Sequence, residues 1–192
     1  MWPTIFDENN NKVYNLPSRL LKDRIIMLNE EITDQTAASI TSQLMFLNME
    51  NNQKPITMYI NSPGGSVSAG FAIYDTMKNI EAPVVTIAIG MVASMAAFLL
   101  SAGDKGMRYA MPNSTVMIHQ PLGGTQGQAT DIEIHTRRIL KIREKMYEIM
   151  SSVSNRDVNF FKKACERDNY LEPEEALEIG LIDKVLSPTK QK

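Results

Sequence analysis

The chain has little of several things, and each scarcity removes a class of function. There is one cysteine, Cys165, so no intrachain disulfide framework exists, and a lone thiol suits a reducing compartment. Its expected role is helix packing. There are two histidines, His119 and His135, far apart in the chain, and with one cysteine they offer no recognisable metal-ligand spacing; no metal or other cofactor is expected. The formal net charge is −2, which gives no electrostatic case for nucleic acid or an anionic membrane. Fixed-period repeats, low-complexity tracts and an interdomain linker are absent, and 192 residues predict one core, which 43% hydrophobic residues can fill. The start, Met1-Trp-Pro-Thr-Ile-Phe-Asp-Glu8, lacks the basic opening and apolar stretch of a signal peptide, so a cytoplasmic location is expected.

The apolar stretch from Val84 to Leu100 contains no charge and has 17 residues. It contains Thr86, Gly90 and Ser94 and has no flanking basic cluster, which argues against a membrane span. Val84–Ile89 is β-branched and continuous, like a strand buried on both faces, whereas Ser94–Leu100 favours helix, with Gly90 expected to punctuate the switch. A serine at such a junction presents its hydroxyl at the C-terminal edge of a parallel sheet, beside the orphan N–H groups of a helix N-terminus. A core serine bonded to its own helix turn is the commoner fate, and this run alone favours that simpler account.

The rest of the chain shifts the balance. Ile56–Lys78 repeats the strand, turn and helix plan, and here the turn Asn61-Ser-Pro-Gly-Gly65 carries two adjacent glycines that can point N–H groups at a ligand. A phosphate cradle is the rival use, but the lysine and hydroxyl of a P-loop are missing, as is any G-x-G-x-x-G spacing. For a general base, His119 ends the apolar run Thr115–Ile118, at the C-terminal end of a predicted strand where α/β enzymes place their sites. His135 instead falls on the stripe Ile132, Ile139, Ile142, Met146, Ile149 and Val153 of a predicted helix, as a packing or interface residue. The orienting carboxylate stays open among Asp104, Asp131, Asp157 and Asp168. Glu172, Glu174, Glu175 and Glu178 read as a solvated face of a short helix opened by Pro173 and closed by Gly180.

Coarsely, a polar start (Asp7–Asn11) precedes a short helix near Ser18–Asp23, a strand Arg24–Leu28, a helix from Thr33-Asp34 to about Asn48, and a long helix from about Ala129 to Val153. At 1.5 Å per residue that last helix spans ~37 Å, too long for one small core, and its apolar stripe needs a partner beyond its own sheet.

Four segments, Gly90-Met-Val-Ala-Ser94-Met95-Ala, Asn61–Gly65, Met117-Ile-His119-Gln-Pro, and Glu166-Arg-Asp168 followed by Pro-Glu-Glu-Ala176 and Gly180-Leu-Ile-Asp183, resemble in order and spacing the proteolytic subunits of the Clp protease, the ClpP family, from about Ser18 onward. The resemblance implies an α/β fold of the crotonase/ClpP-like kind, a superhelix of repeated β-β-α units with a protruding handle helix. It divides the single domain into an N-terminal axial loop segment (1–17), a head (18–120 and 154–192) and a handle region (121–153), with Gly123, Gly124 and Gly127 as a hinge. It implies Ser94 as nucleophile, His119 as base, Asp168 as orienting acid, and Gly65 and Met95 as the oxyanion-hole N–H donors. The implied activity is that of a serine endopeptidase acting on unfolded proteins and peptides inside two stacked heptameric rings of the same chain, a tetradecamer. An AAA+ unfoldase would supply substrates and consume the ATP, docking on an apolar pocket at Tyr59, Ile87, Ile89, Met111 and Leu186. Tyr14–Pro17 and Thr57 depart from the family pattern. The alternatives are a crotonase-like acyl-CoA hydratase or isomerase, which needs no triad, and a non-catalytic scaffold subunit of mixed rings.

Overall fold

Strands alternate with helices along nearly the whole chain, and the uncharged runs form the middle of the sheet. The computed structural model describes residues 3–7 and 11–187. In order these are β1 (Thr4–Asp7), β2 (Lys12–Asn15), α1 (Leu16–Lys22), β3 (Ile25–Leu28), α2 (Asp34–Glu50), β4 (Ile56–Ser62), α3 (Val67–Asn79), β5 (Val84–Ala93) and α4 (Met95–Ser101). There follow β6 (Arg108–Ala110), β7 (Thr115–Ile118), α5 (Ala129–Val153), α6 (Val158–Ala164), β8 (Asn169–Leu171), α7 (Pro173–Glu178) and β9 (Lys184–Val185). This is the expected α/β class with a mostly parallel sheet. Residues 8–10 of the expected polar start, and the extreme ends of the expected axial and head segments, lie outside the described residues.

Strands β3, β4, β5, β6 and β9 lie side by side and parallel, and β7 joins β5 in parallel while β8 runs antiparallel to β7. Gly90 does not end its strand, contrary to expectation. β5 continues to Ala93, and Gly90 instead bends it: φ is +60°, and a Cβ there would stand 2.9 Å from Asn61 Oδ1, the atom that accepts from the Met91 N–H at 3.2 Å. At the bend the Ile60–Ser62 step of β4 faces the longer Ala88–Val92 step of β5, a bulge of the kind that turns strands near functional sites. Before the bend β5 pairs β6 through Thr86–Ala88; after it, β5 pairs β7 through Met91–Ala93. One strand therefore serves two neighbours.

The apolarity of α4 is core, not membrane: every one of its residues is buried. Among the described residues no helix is long and apolar enough to cross a membrane. Phe71 and Tyr74 of α3 pack their rings on Phe98 of α4 at 5.6 and 5.2 Å. Two arginines lock the periphery. Arg24, at φ +63°, donates to the carbonyls of Leu47, Asn51, Lys54 and Pro55, closing the C-terminus of α2 and the loop beyond it. Buried Arg108 pairs with Asp183 through Nε (2.8 Å) and Nη2 (2.6 Å) and also reaches the carbonyls of Val153 and Gly180. Burial by itself would raise the Asp183 carboxyl, but the Arg108 side chain and amide, with the Gly106 amide, hold it below the usual carboxylate range.

The N-terminus is more ordered than its composition suggests, since β1 and β2 pair as an antiparallel hairpin from Thr4 opposite Asn15 to Asp7 opposite Lys12. Helix α1 begins two residues before the expected Ser18, because Asn15 caps it by accepting from the Ser18 N–H at 2.9 Å. Helix α5 has the expected limits, but only Met146, Tyr147 and Met150 are buried in it. Ile132, Ile134 and Leu140 are 39%, 58% and 43% exposed, and His135 is exposed as well, so the stripe meets the body only over its C-terminal half.

Candidate active site

Three neighbouring strands bring three side chains to one edge of the sheet. Ala93 of β5 stands opposite Met117 of β7, and Ile118 of β7 opposite Asn169 of β8. Ser94 directly follows β5, His119 directly follows β7, and Asp168 directly precedes the antiparallel β8. Chain register thus places them together across 25 and 49 residues of sequence. His119 Nε2 lies 2.7 Å from Ser94 Oγ, and His119 Nδ1 lies 3.0 Å from Asp168 Oδ1.

Ser94 occupies φ +56°, ψ −123°, a conformation costly for any residue with a side chain, by ~1–3 kcal/mol. It is held there from both sides. Its N–H donates to Met117 O at 2.8 Å, and its carbonyl accepts from the Phe98 N–H at 3.1 Å as α4 begins. The turn lifts the hydroxyl clear of both strand and helix.

Beside it runs the Gly64–Gly65 turn. Ile32 N–H donates to Gly64 O, and Ser66 N–H donates to Ile32 O, each at 2.8 Å, which leaves the Gly65 N–H outside this short ladder. Only glycine fits. Gly65 has φ +146° and a Cβ there would meet Ile32 O at 2.3 Å; one on Gly64, at φ +92°, would meet Ala93 O at 2.7 Å and Ser94 Cβ at 2.8 Å. Met95 is the first residue of α4, so its N–H has no intrahelical acceptor. A cavity of about 390 Å³ opens here, lined by Ser94, His119, Gly64, Gly65 and Met95 among others. A larger one of about 560 Å³, between Lys78, Asp104 and Ser152–Asn155, contains none of these groups.

The other candidate acids are employed elsewhere. Asp104 accepts from the Val84 N–H at 2.5 Å at the far end of β5, Asp157 caps α6 by accepting from the Phe160 N–H at 2.7 Å, and Asp131 sits in the first turn of α5. The acidic run near α7 is not merely solvated, because Glu175 accepts from the Glu172 N–H at 2.8 Å and helps cap that helix. Cys165 is buried, and burial pushes its thiol up to about 12, which makes it a packing group and not a nucleophile. Burial also raises the Tyr147 hydroxyl nearby, with Cys165 adding to the effect. Among the described residues no cluster of three or more His, Cys, Asp or Glu side chains is placed to hold a metal ion.

Two features had no distinct signal in the sequence. Gln120 straddles the site: its N–H donates to Cys165 O at 2.6 Å and its Nε2 to Glu166 O at 3.0 Å, tying the turn that carries Asp168 to the residue after His119. The second is exposure. His119 is largely covered, with 10% of its side chain exposed, whereas Asp168 is 59% exposed.

A hydroxyl, an imidazole and a carboxylate in line, beside a glycine turn and a helix start, form an arrangement capable of acyl transfer. The family model for Clp protease matches residues 8–189 of the 192. The chain belongs to the Clp protease family.

Proposed function

We propose that this protein is the serine endopeptidase core of a Clp-type protease, with Ser94 as nucleophile, His119 as general base and acid, and Asp168 as the carboxylate that orients the ring. The observation that carries this reading is His119, which touches Ser94 Oγ with one ring nitrogen and Asp168 with the other. His119 Nε2 takes the Oγ proton as Ser94 attacks the peptide carbonyl. The Gly65 and Met95 N–H groups receive the oxyanion, and the imidazolium returns its proton to the leaving amine. Water, deprotonated by the same nitrogen, then releases the acyl group. An acyl-CoA hydratase or isomerase would use the glycine turn without a strained serine aligned on an imidazole, and a scaffold subunit would need neither.

The chain further acts as two stacked heptameric rings in the cytoplasm, fed with unfolded proteins by an AAA+ unfoldase. Exposed apolar residues on two separate helices, Met45, Phe46 and Met49 on α2 and Ile132, Ile134 and Leu140 on α5, suit two kinds of self-contact, within a ring and between rings. Residues 121–153 serve as the handle between rings, 18–120 and 154–192 as the head, and 1–17 as the axial segment. A surface cavity of about 610 Å³ lined by Ile89, Met111 and Leu186 fits an apolar loop of the unfoldase, whereas Tyr59 and Ile87, cross-strand partners on β4 and β5, are not among its lining residues and Ile87 is buried.

The test uses the purified chain with a short fluorogenic peptide and a stably folded protein. The peptide is cleaved without nucleotide, and the folded protein is degraded only when an AAA+ unfoldase of the Clp type and ATP are added. Arg167→Glu, beside Asp168, lowers both the tetradecamer fraction and the peptidase rate. A stable, fully active monomer would overturn the ring assembly, and failure to cleave any peptide would overturn the peptidase.

A further inference from the structure

The cavity beside Ser94 carries a charge that the proposed chemistry does not use. Its floor and walls are apolar and adaptable, formed by Val67, Met95, Met117 and Met146. Of the described residues that line it only two are ionisable, His119 and Glu31, and His119 has both ring nitrogens engaged. Glu31 has no such engagement. Among the described residues its carboxylate takes part in no hydrogen bond or ion pair, while that of its neighbour Glu30 accepts from Thr36 Oγ1 at 3.4 Å.

The backbone that presents Glu31 is nevertheless fixed. Ile32 is fully buried and laddered to both sides of Gly65, and the Glu31 carbonyl accepts from Thr36 Oγ1 at 2.9 Å. Because successive residues of an extended segment face opposite ways, burying Ile32 turns Glu31 outward, to the cavity's rim. An unpaired carboxylate is thus anchored on the same short ladder that carries Gly65.

We propose that Glu31 makes this a subsite for a long side chain ending in a cation, lysine or arginine, on the acyl side of the cleaved bond. This rests on the serine-peptidase reading above. The methylenes of such a side chain lie along the methionines and its charged tip reaches the rim, the division that long basic side chains adopt at apolar surfaces. Leucine or methionine fills the same floor without the terminal contact. A glutamate there brings like charges together and is disfavoured.

The test is a set of three fluorogenic peptides that differ only in the residue before the cleaved bond, leucine, lysine or glutamate, with kcat/KM measured on the assembled full chain. The lysine-to-leucine ratio is internal, so changes in assembly or active fraction cancel. In Glu31→Gln that ratio falls about threefold to fivefold, the size of an ion pair still in contact with water. In Glu31→Lys it falls further and the glutamate-to-leucine ratio rises above the wild-type value. Raising the salt lowers the wild-type lysine-to-leucine ratio but leaves that of Glu31→Gln unmoved. A ratio that is the same in wild type and Glu31→Gln, or a wild type that cleaves the glutamate peptide fastest, overturns this inference while leucine cleavage leaves the peptidase reading standing. A wild type that cleaves none of the three overturns both.

Discussion

Replacing Asp168 with asparagine separates two jobs that a carboxylate does for an imidazole: fixing its tautomer and stabilising its charged form. In the chymotrypsin-type template the same exchange costs ~10⁴ in turnover, because a buried and fully bonded site holds the amide with its NH₂ toward the ring. Asp168 differs in a way that changes the magnitude. It is 59% exposed, and the one hydrogen-bond partner of its side chain among the described residues is His119 Nδ1 at 3.0 Å. An asparagine there is free to turn its oxygen to the ring, so the productive tautomer survives and only the charge-assisted part of the bond is lost. That part is the difference between ~1.5–3 kcal/mol for a bond to a charged group and ~0.5–1.5 kcal/mol for a neutral one, about 1–1.5 kcal/mol, which at 1.36 kcal/mol per decade predicts a fall in kcat of about 5- to 13-fold. The assay is single-turnover acylation by a chromogenic peptide ester, which isolates the step in which His119 becomes charged. A fall below about threefold would refute the claim that Asp168 stabilises the ring, and a fall near 10⁴ would refute the argument from exposure, since it requires a tautomer lock.

Gly65→Ala forces a Cβ to 2.3 Å from Ile32 O and so displaces the Gly65 N–H; acylation should fall by ~10²–10³, the cost of one oxyanion donor, in a protein whose melting still reports a folded chain. The Asp183 carboxyl is depressed in the folded state, so its stabilising effect is complete above the unfolded carboxylate range, near 3.9, and is lost as pH falls through the lower folded value. Asp183→Asn should therefore cost about 3 kcal/mol in urea unfolding at pH 7 and flatten the acid limb of the stability curve, because it strands buried Arg108. Cys165, with its thiol pushed up to about 12, should escape iodoacetamide at pH 8 in the native protein and react fully in denaturant, as read by intact mass.

The parts of the site that were legible in the sequence are those whose signal is local. Ser94 stands where a β-branched run gives way to a helix-forming one, and His119 ends another such run, so strand ends mark both positions, although the run around Ser94 by itself favours a core serine and only the glycine turn and His119 elsewhere shift that balance. Asp168 carries no such mark: four aspartates were equally eligible by residue type, and the choice between them is made by the pairing of β7 with β8, a contact between segments far apart in the chain. Family resemblance supplied what composition and spacing could not. The role of Gly90 is hidden for a related reason. A glycine in an apolar run signals a break, but whether it ends the strand or bends it depends on Asn61 of the next strand, which fills the space a Cβ would need. The hairpin of β1 and β2 hid in a polar composition, and the free charge of Glu31 has no sequence signature because it depends on what surrounds the side chain. The stripe of α5 is visible as a sequence pattern, yet a single chain covers only its C-terminal half.

The account stands or falls on Ser94 as the nucleophile. The direct measurement is the intact mass of the folded chain after treatment with a fluorophosphonate probe. The expected result is one adduct per chain, located on Ser94 by peptide mapping, absent in Ser94→Ala and greatly slowed in His119→Ala. A folded, assembled wild type that takes up no probe, or takes it up on another residue, would contradict the account.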